Sequence, residues 1–287
     1  MSRRREIEEH IRALTEIRGI MSAMKNLALT ETQKLTRALS AQQRVVLNFE
    51  AAADDCLRFH PELSLEVSGA NLYLVIGSER GFCGDYNGAL LSALDRHCQA
   101  VGERNPFLVT VGRKLSARVA GNRRAVVSLD GPSVVEEVQA VLIHMMDRLK
   151  ELQHHRKPAQ GLVATVVYHD AVRDEIVVQP LQPGRRSSSA PFTYPPLLTL
   201  TPATFLAEWV DQYLFALLHE VFYSALMAEN RARLQHLQGA LERIDQDTEE
   251  LRLKQNVLRQ EEITEEIEVI MLSAESKRRR LGSERGQ

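Results

Sequence analysis

The chain has 287 residues, with 36 Lys+Arg against 38 Asp+Glu and a formal net charge of -2, so charge alone makes no case for nucleic acid or an anionic membrane as partner. A content of 44% hydrophobic and 26% charged residues is that of an ordinary globular protein, and 5% aromatics suits a chain rich in coiled coil. Cys56, Cys83 and Cys98 are an odd count without paired spacing, which argues against a disulfide framework or zinc site and for a reducing compartment. No run of apolar residues is long enough to span a membrane, and Met1 leads straight into Arg3-Arg4-Arg5 without the apolar region of a secretory signal.

Residues 3 to about 59 read as one long helix, the first element of a segment 1–60. Ser2 is a fair N-cap, and Glu6, Glu8 and Glu9 lie where the helix dipole favours acids. Ile7, Leu14, Met21, Ala28 and Leu35 recur every seven residues, and Ile17, Met24, Ala38 and Val45 are expected to fill a second seam. Pro61 closes the segment.

Residues 69–200 carry a different pattern. The runs at 71–76, 107–111 and 162–168 are short and nearly continuously apolar, as in strands buried on both faces. A weaker strand lies at 125–127, with helical spacing near 88–101 and from Val134 to Leu152. The turn Asp170–Glu175 leads into Ile176–Pro180, a hairpin. Strands alternating with helices predict a small, mostly parallel, Rossmann-like α/β domain. Pro183-Gly184-Arg185-Arg186-Ser187-Ser188-Ser189 reads as a loop, followed by an extended connector.

From Thr201 to about 280 nothing breaks a helix except Gly239. Met227, Leu234 and Leu241 form one seam, and Leu237, Ile244, Leu251 and Leu258 the other, a coiled-coil signature. The first seam turns polar at Thr248, Gln255 and Glu262, and Ile263, Ile267 and Ile270 then start a new stripe. Some seventy helical residues reach on the order of 100 Å and need a partner helix. The partner is the helix at 1–60, antiparallel in the same chain. The fold class expected is therefore α+α/β: a long coiled coil of the N- and C-terminal helices flanking the α/β domain, with a tail at 281–287.

The stretch Gly77-Ser78-Glu79-Arg80-Gly81-Phe82-Cys83-Gly84-Asp85 follows the first strand and precedes a helix, the place where α/β domains bind phosphates. It is neither the dinucleotide fingerprint nor a P-loop, has no lysine, and Glu79 and Asp85 would repel a phosphate. Its glycines read better as permitting a tight turn close to other backbone. Cys83 near a helix start would need a positioned base to act as a nucleophile, and the sequence places none of His144, His154, His155 or His169 beside it. No nucleophile, base and orienter assemble, so the chain is expected to be non-catalytic and to hold no cofactor or metal.

Three stretches together resemble the gamma subunit family of F-type ATP synthases, the rotating central stalk. Glu6-Ile7 through Ile20-Met21-Ser22-Ala23-Met24 is similar to that family's N-terminal "EIR…I…AM" helix. Ser78 to Asn87 is similar to its "S-D-R-G-L-C-G-G-x-N" loop. Ala228-Glu229-Asn230-Arg231-Ala232-Arg233, and Asn256 to Ile270 with Arg259-Gln260 and Ile263-Thr264-Glu265-Glu266-Ile267, are similar to its "SE…AR" and "N…RQ..IT.E..EI" segments. Phe192-Thr193-Tyr194-Pro195 stands where the family has a Tyr/Pro link. The departures at Lys25-Asn26, Glu31-Thr32 and Asp85-Tyr86, and a basic run Lys277 to Arg280, point to a divergent bacterial paralogue.

The resemblance implies a shaft that enters a ring of alpha and beta catalytic subunits, while the α/β domain rests on the membrane c-ring beside the epsilon subunit. Ion transport, of protons or sodium, would be coupled to ATP chemistry in the beta subunits, with the chain peripheral on the cytoplasmic side of a bacterial membrane. By resemblance, Met24, Lys25, Arg259, Gln260, Thr264 and Glu266 would touch the beta subunits, and Arg80, Gly81 and Cys83 would be further interface positions. The rival from another class is a coiled-coil scaffold presenting an α/β adaptor domain, with a small α/β enzyme third. A scaffold dimer calls for a uniformly apolar seam, whereas Thr248, Gln255 and Glu262 suit hetero-partners.

Overall fold

The heptad pattern at both ends and the apolar runs between them form the elements they predict. A computed structural model describes residues 3–63, 69–104, 106–120, 125–155, 161–181, 194–195 and 197–284. In order these are α1 (Arg3–Phe59), β1 (Gly69–Ile76), α2 (Tyr86–Ala100), β2 (Phe107–Val111), α3 (Arg113–Val119), β3 (Ala125–Leu129), a 3-10 turn (Val135–Glu137), α4 (Val138–His155), β4 (Gly161–Asp170), β5 (Glu175–Pro180) and α5 (Pro202–Glu284). The Ser2 cap, the run Pro183–Ser189 and the pair Phe192-Thr193 lie outside the described residues. The chain divides into two compact units: 1–25 with 237–287, and 26–236.

In the unit 26–236 the sheet has the order β3-β2-β1-β4-β5. β1, β2, β3 and β4 are parallel, and β5 closes the edge as an antiparallel hairpin with β4. β1 is central, so Leu72 to Ile76 are all buried, which is why the run shows no alternation. Leu72, Leu74 and Ile76 meet Leu35 and Leu39 of α1, Val138, Leu142 and Met145 of α4, and Val221, Phe222 and Leu226 of α5. On the other face Tyr73 and Val75 meet Leu90 and Leu94 of α2 and Leu115 of α3. A separate cluster joins Val46 and Ala53 of α1 to Leu206, Trp209 and Tyr213 of α5, and there the indole N–H of Trp209 donates to the Phe49 carbonyl at 2.9 Å.

In the unit 1–25 with 237–287 the two helices run antiparallel. Arg4 bonds Glu262 at 2.8 Å, Gln255 donates to Glu8 at 3.0 Å, Arg18 bonds Asp245 at 2.6 Å, and Lys25 bonds Gln238. In the last three pairs the two residue numbers add to 263, the constant total of an antiparallel register. Along α5 the seam is as expected, with Leu237 buried and Leu241, Ile244, Thr248, Leu251, Gln255, Leu258 and Glu262 half-buried.

α1 differs from expectation. Its first seam holds, but the buried positions of the second are Leu39, Val46 and Ala53, one residue beyond Ala38 and Val45, with Ile11, Lys25 and Thr32 half-buried on the same line and Met24 and Ala38 half-buried beside it. Ile17 and Val45 are 46% and 41% exposed. The seam is partly polar: half-buried Lys25 bonds Gln238, and exposed Arg18 reaches Asp245.

This register makes a direct test. With Arg18→Cys and Asp245→Cys, a short bis-maleimide should cross-link within one chain and give a fast-migrating monomer on a denaturing gel. A ladder of cross-linked dimers would instead favour the scaffold reading.

Candidate functional site: the loop after β1 and its seat on α5

The loop at 77–85 is built by backbone that only certain residues allow. Phe82 and Gly84 have φ of 63° and 61°, in the left-handed region. Gly112, at the start of α3, has φ 111°, and a Cβ there would meet the Gly77 and Ser78 carbonyl oxygens at 2.8 Å. The close approach to backbone expected at the loop's own glycines lies at Gly112 instead: a Cβ at Gly77 would meet the side chains of Leu115 and Asn87, and Gly84 owes its place to its positive φ.

Glu79 does not face outward to repel anions. It is 4% exposed, and its carboxylate accepts the N–H of Arg113 at 2.9 Å and of Gly131 at 2.8 Å, besides pairing with the Arg113 guanidinium. Ser78 N–H donates to Asn87 at 2.9 Å, and Lys114 N–H donates to the Ser78 carbonyl at 3.1 Å. The first half of the loop is therefore fixed to the sheet's carboxyl edge. The second half is fixed to α5. Glu229 accepts the N–H of Glu79 at 3.3 Å and of Arg80 at 3.2 Å, and pairs with Arg233 four residues on. Arg233 donates to the Gly81 carbonyl at 3.2 Å, to Asn230 at 2.7 Å and to the Cys83 sulfur at 3.4 Å. Glu229 and Arg233 are 3% and 5% exposed. Burial lifts the Glu229 carboxyl above the ordinary glutamate range, while Arg233 and the two amides pull it back.

In a doubly wound sheet the ligand crevice opens where the strand order reverses, here at the carboxyl ends of β1 and β4. α5 occupies that place. Tyr86 O–H donates to the Ala225 carbonyl at 3.0 Å, Ala171 N–H donates to the Ser224 hydroxyl at 2.9 Å, and Arg231 donates to the Ala171 carbonyl at 2.5 Å. His169 stacks on Tyr86 with ring centroids 4.0 Å apart and bonds the Tyr86 carbonyl at 3.1 Å. Burial holds His169 below the ordinary histidine value, so it is a neutral packing partner. His144 is exposed on α4, and the side chains of His154 and His155 lie outside the described residues. No cluster of His, Cys, Asp and Glu suited to a metal occurs among the described residues.

Cys83 is buried, and desolvation pushes its thiol up to about 12. At pH 8 about one molecule in ten thousand would carry the thiolate. Cys56 and Cys98 are buried as well. The folded chain should therefore resist iodoacetamide at pH 8 and alkylate at three sites in denaturant, read by mass spectrometry. Rapid native alkylation at Cys83 would show that the loop opens.

The other predicted positions fall in separate places. Met24 is half-buried on α1, and Lys25 is held by Gln238. Arg80 is exposed at the loop's turn, beside half-buried Gly81. Arg259, Gln260, Thr264 and Glu266 are exposed on α5, with the Thr264 hydroxyl bonded to the Gln260 carbonyl at 2.9 Å. Around them Ile263, Ile267, Val269, Ile270, Met271 and Leu272 are 47% to 66% exposed. Beyond Glu262 the expected second stripe is thus bare. Sequence reasoning did not single out Glu229 and Arg233 as a site. The available signal was a Glu and an Arg four residues apart on a face otherwise carrying Leu226 and Leu237.

Comparison with known proteins bears on the whole chain. The family model described as ATP synthase matches residues 3–276. The ATP synthase gamma chain of Akkermansia muciniphila is 26% identical over 287 residues, covering 93% of this chain and 96% of its own. That of Clostridium botulinum is 21% identical over 282 residues, covering 95% and 97%. Among solved structures, a chain of the Euglena gracilis mitochondrial ATP synthase (OSCP/F1/c-ring, rotational state 3) has a TM-score of 0.60 at 18% identity, covering 95% of this chain and 94% of that one. A chain of the Tetrahymena thermophila central stalk and c-ring has a TM-score of 0.53 at 14% identity, covering 77% and 99%. With the family model spanning nearly its entire length, this chain belongs to the ATP synthase gamma-chain family, the central stalk of the rotary enzyme.

Proposed function

We propose that this central-stalk chain transmits torque and performs no chemistry of its own, with ATP turned over in the beta subunits and ions moved through the c-ring. The reading is carried by the helix pair in the unit 1–25 with 237–287. Its seam is apolar at Leu237, polar at Gln255 and Glu262, and followed by exposed Ile263, Ile267 and Ile270. A zipper made only to hold two helices together would keep its apolar residues inside. Bare apolar residues at helical spacing beyond the polar seam suit a changing set of partner contacts. Each turn of the shaft then biases three like sites differently, provided the contacts differ in each state. That the chain is non-catalytic is supported by α5 filling the crevice where an α/β enzyme would bind its ligand.

In this reading 69–200 is the α/β domain inserted between the helices and rests with the epsilon subunit on the c-ring. Met24, Lys25, Arg259, Gln260, Thr264 and Glu266 face the beta subunits, and Arg80, Gly81 and Cys83 form a further contact. Among the described residues no helix is long and apolar enough to cross a membrane, so attachment on the cytoplasmic side of a bacterial membrane would come through the c-ring. Arg259 tests the contact set. A charge-assisted bond from it to a beta-subunit carboxylate contributes about 1.5–3 kcal/mol. Arg259→Ala should therefore lower ion pumping per ATP hydrolysed in reconstituted membranes while the complex still assembles. Unchanged hydrolysis and pumping in Arg259→Ala and Gln260→Ala would remove these two residues from the interface.

A further inference from the structure

The segment of α5 from Ser224 to Arg233 is held to the α/β elements in two chemically different ways. Ala225 and Leu226, with Phe222 just before them, pack into the core beneath the sheet. Such burial is non-directional, so a helix can turn a little against it at small cost. The polar contacts do fix one position: Ser224, Ala225 and Arg231 are tied to Ala171 and Tyr86, and a second set reaches the loop after β1. Glu229 and Arg233 together hold the backbone of Glu79, Arg80 and Gly81 and the sulfur of Cys83. These bonds weaken steeply as angle and distance depart from their best values. Nor can the loop follow a turning helix, because Glu79 is tied to the backbone of Arg113 and Gly131 and Ser78 is tied to Asn87 and Lys114.

We propose that the buried Glu229–Arg233 pair is a torsional latch that fixes the rotational and axial position of α5 against the loop after β1, so that torque generated at the α/β elements enters α5 without slip. Glu229 and Arg233 are positioning residues for coupling, and both are buried within this chain. The proposal rests on the central-stalk function. It differs from a simple stability role because the pair joins α5 to a loop that is independently tied to the sheet, and a helix merely needing burial would be served by an apolar face.

The test uses the complex purified from membranes, with Arg233→Lys, which keeps the charge and loses the fork, and Glu229→Gln, which keeps the shape and loses the charge. Both variants should assemble and retain ATP hydrolysis, while ATP-driven ion uptake per ATP falls roughly fivefold, the lower end of what one coupling interaction contributes. In the isolated full-length chain, hydrogen exchange at the amides of Glu79 and Arg80 should quicken while β1 and β4 stay protected. Wild-type uptake per ATP together with wild-type exchange at those amides would overturn the latch. So would failure of both variants to assemble, which would make the pair a folding device alone. If one variant fails, the other decides. If the wild-type chain itself does not co-purify with catalytic and membrane-ring subunits, the central-stalk reading fails, and the amide exchange still reports on the latch.

Discussion

Replacing Arg233 by Met should lower the stability of the folded chain by about 3–5 kcal/mol, the range for removing one partner of a buried ion pair. The cost follows from what is left behind. Glu229 is 3% exposed, and without Arg233 its charge keeps only the N–H groups of Glu79 and Arg80. Loop residues Gly81 and Cys83 lose donors at the same time. The loss should also depend on pH. Burial already raises the Glu229 carboxyl above 4.5, and removing the cation raises it further. A carboxyl raised in the folded state contributes stability that is fully present below its unfolded pKa and is lost as pH rises through its folded pKa. Denaturant titrations should therefore show the gap between variant and wild type narrowing as pH falls toward about 4 and widening toward neutrality. A gap that is constant across that window would mean Glu229 is already neutral, and that the fork and its neutral hydrogen bonds are what Arg233 contributes.

Most of the architecture was legible in the sequence because its signals are local. The runs at 71–76, 107–111 and 162–168 became β1, β2 and β4, since a strand buried on both faces has nothing to alternate. The antiparallel pairing of the terminal helices followed from two heptad stripes in one chain. The second seam of α1 was misplaced because apolar residues stand side by side with the true positions: exposed Val45 precedes buried Val46, and Met24 precedes Lys25, which carries the contact to Gln238. Periodicity counts apolar side chains and cannot see a polar side chain such as Lys25 at a half-buried seam position. The loop was recognised by its glycines and its place after a strand, but its seat was not. Glu229 lies 150 residues from Glu79 in sequence, and no local pattern announces that pairing. Glu79 shows the same limit: a carboxylate that reads as repulsive to phosphate is turned inward to satisfy the chain's own amides.

Gly112→Ala is the other change expected to have a large effect, and it acts on the same loop from below. Gly112 has φ 111°, where a side chain is strained by about 1–3 kcal/mol. The new methyl group would also lie 2.8 Å from the carbonyl oxygens of Gly77 and Ser78 and 2.9 Å from the Ser78 carbonyl carbon. These are backbone atoms and cannot rotate away, so the loop itself must shift, at a further cost of about 1–3 kcal/mol. The shift would pull on Ser78, whose carbonyl accepts the Lys114 N–H, and on Glu79, whose carboxylate accepts the N–H groups of Arg113 and Gly131. From Glu79 and Arg80 it passes to Glu229 on α5. Gly112→Ala should thus lose about 2–6 kcal/mol in denaturant unfolding. In the folded fraction it should also speed hydrogen exchange at the Glu79 and Arg80 amides. A control at Gly102, with φ 72° and open space around it, separates the two costs. Gly102→Ala should carry the strain alone and leave those amides as they were. Equal losses at the two glycines, with exchange at Glu79 and Arg80 unchanged, would show that the loop yields freely and is not held as the hydrogen bonds indicate.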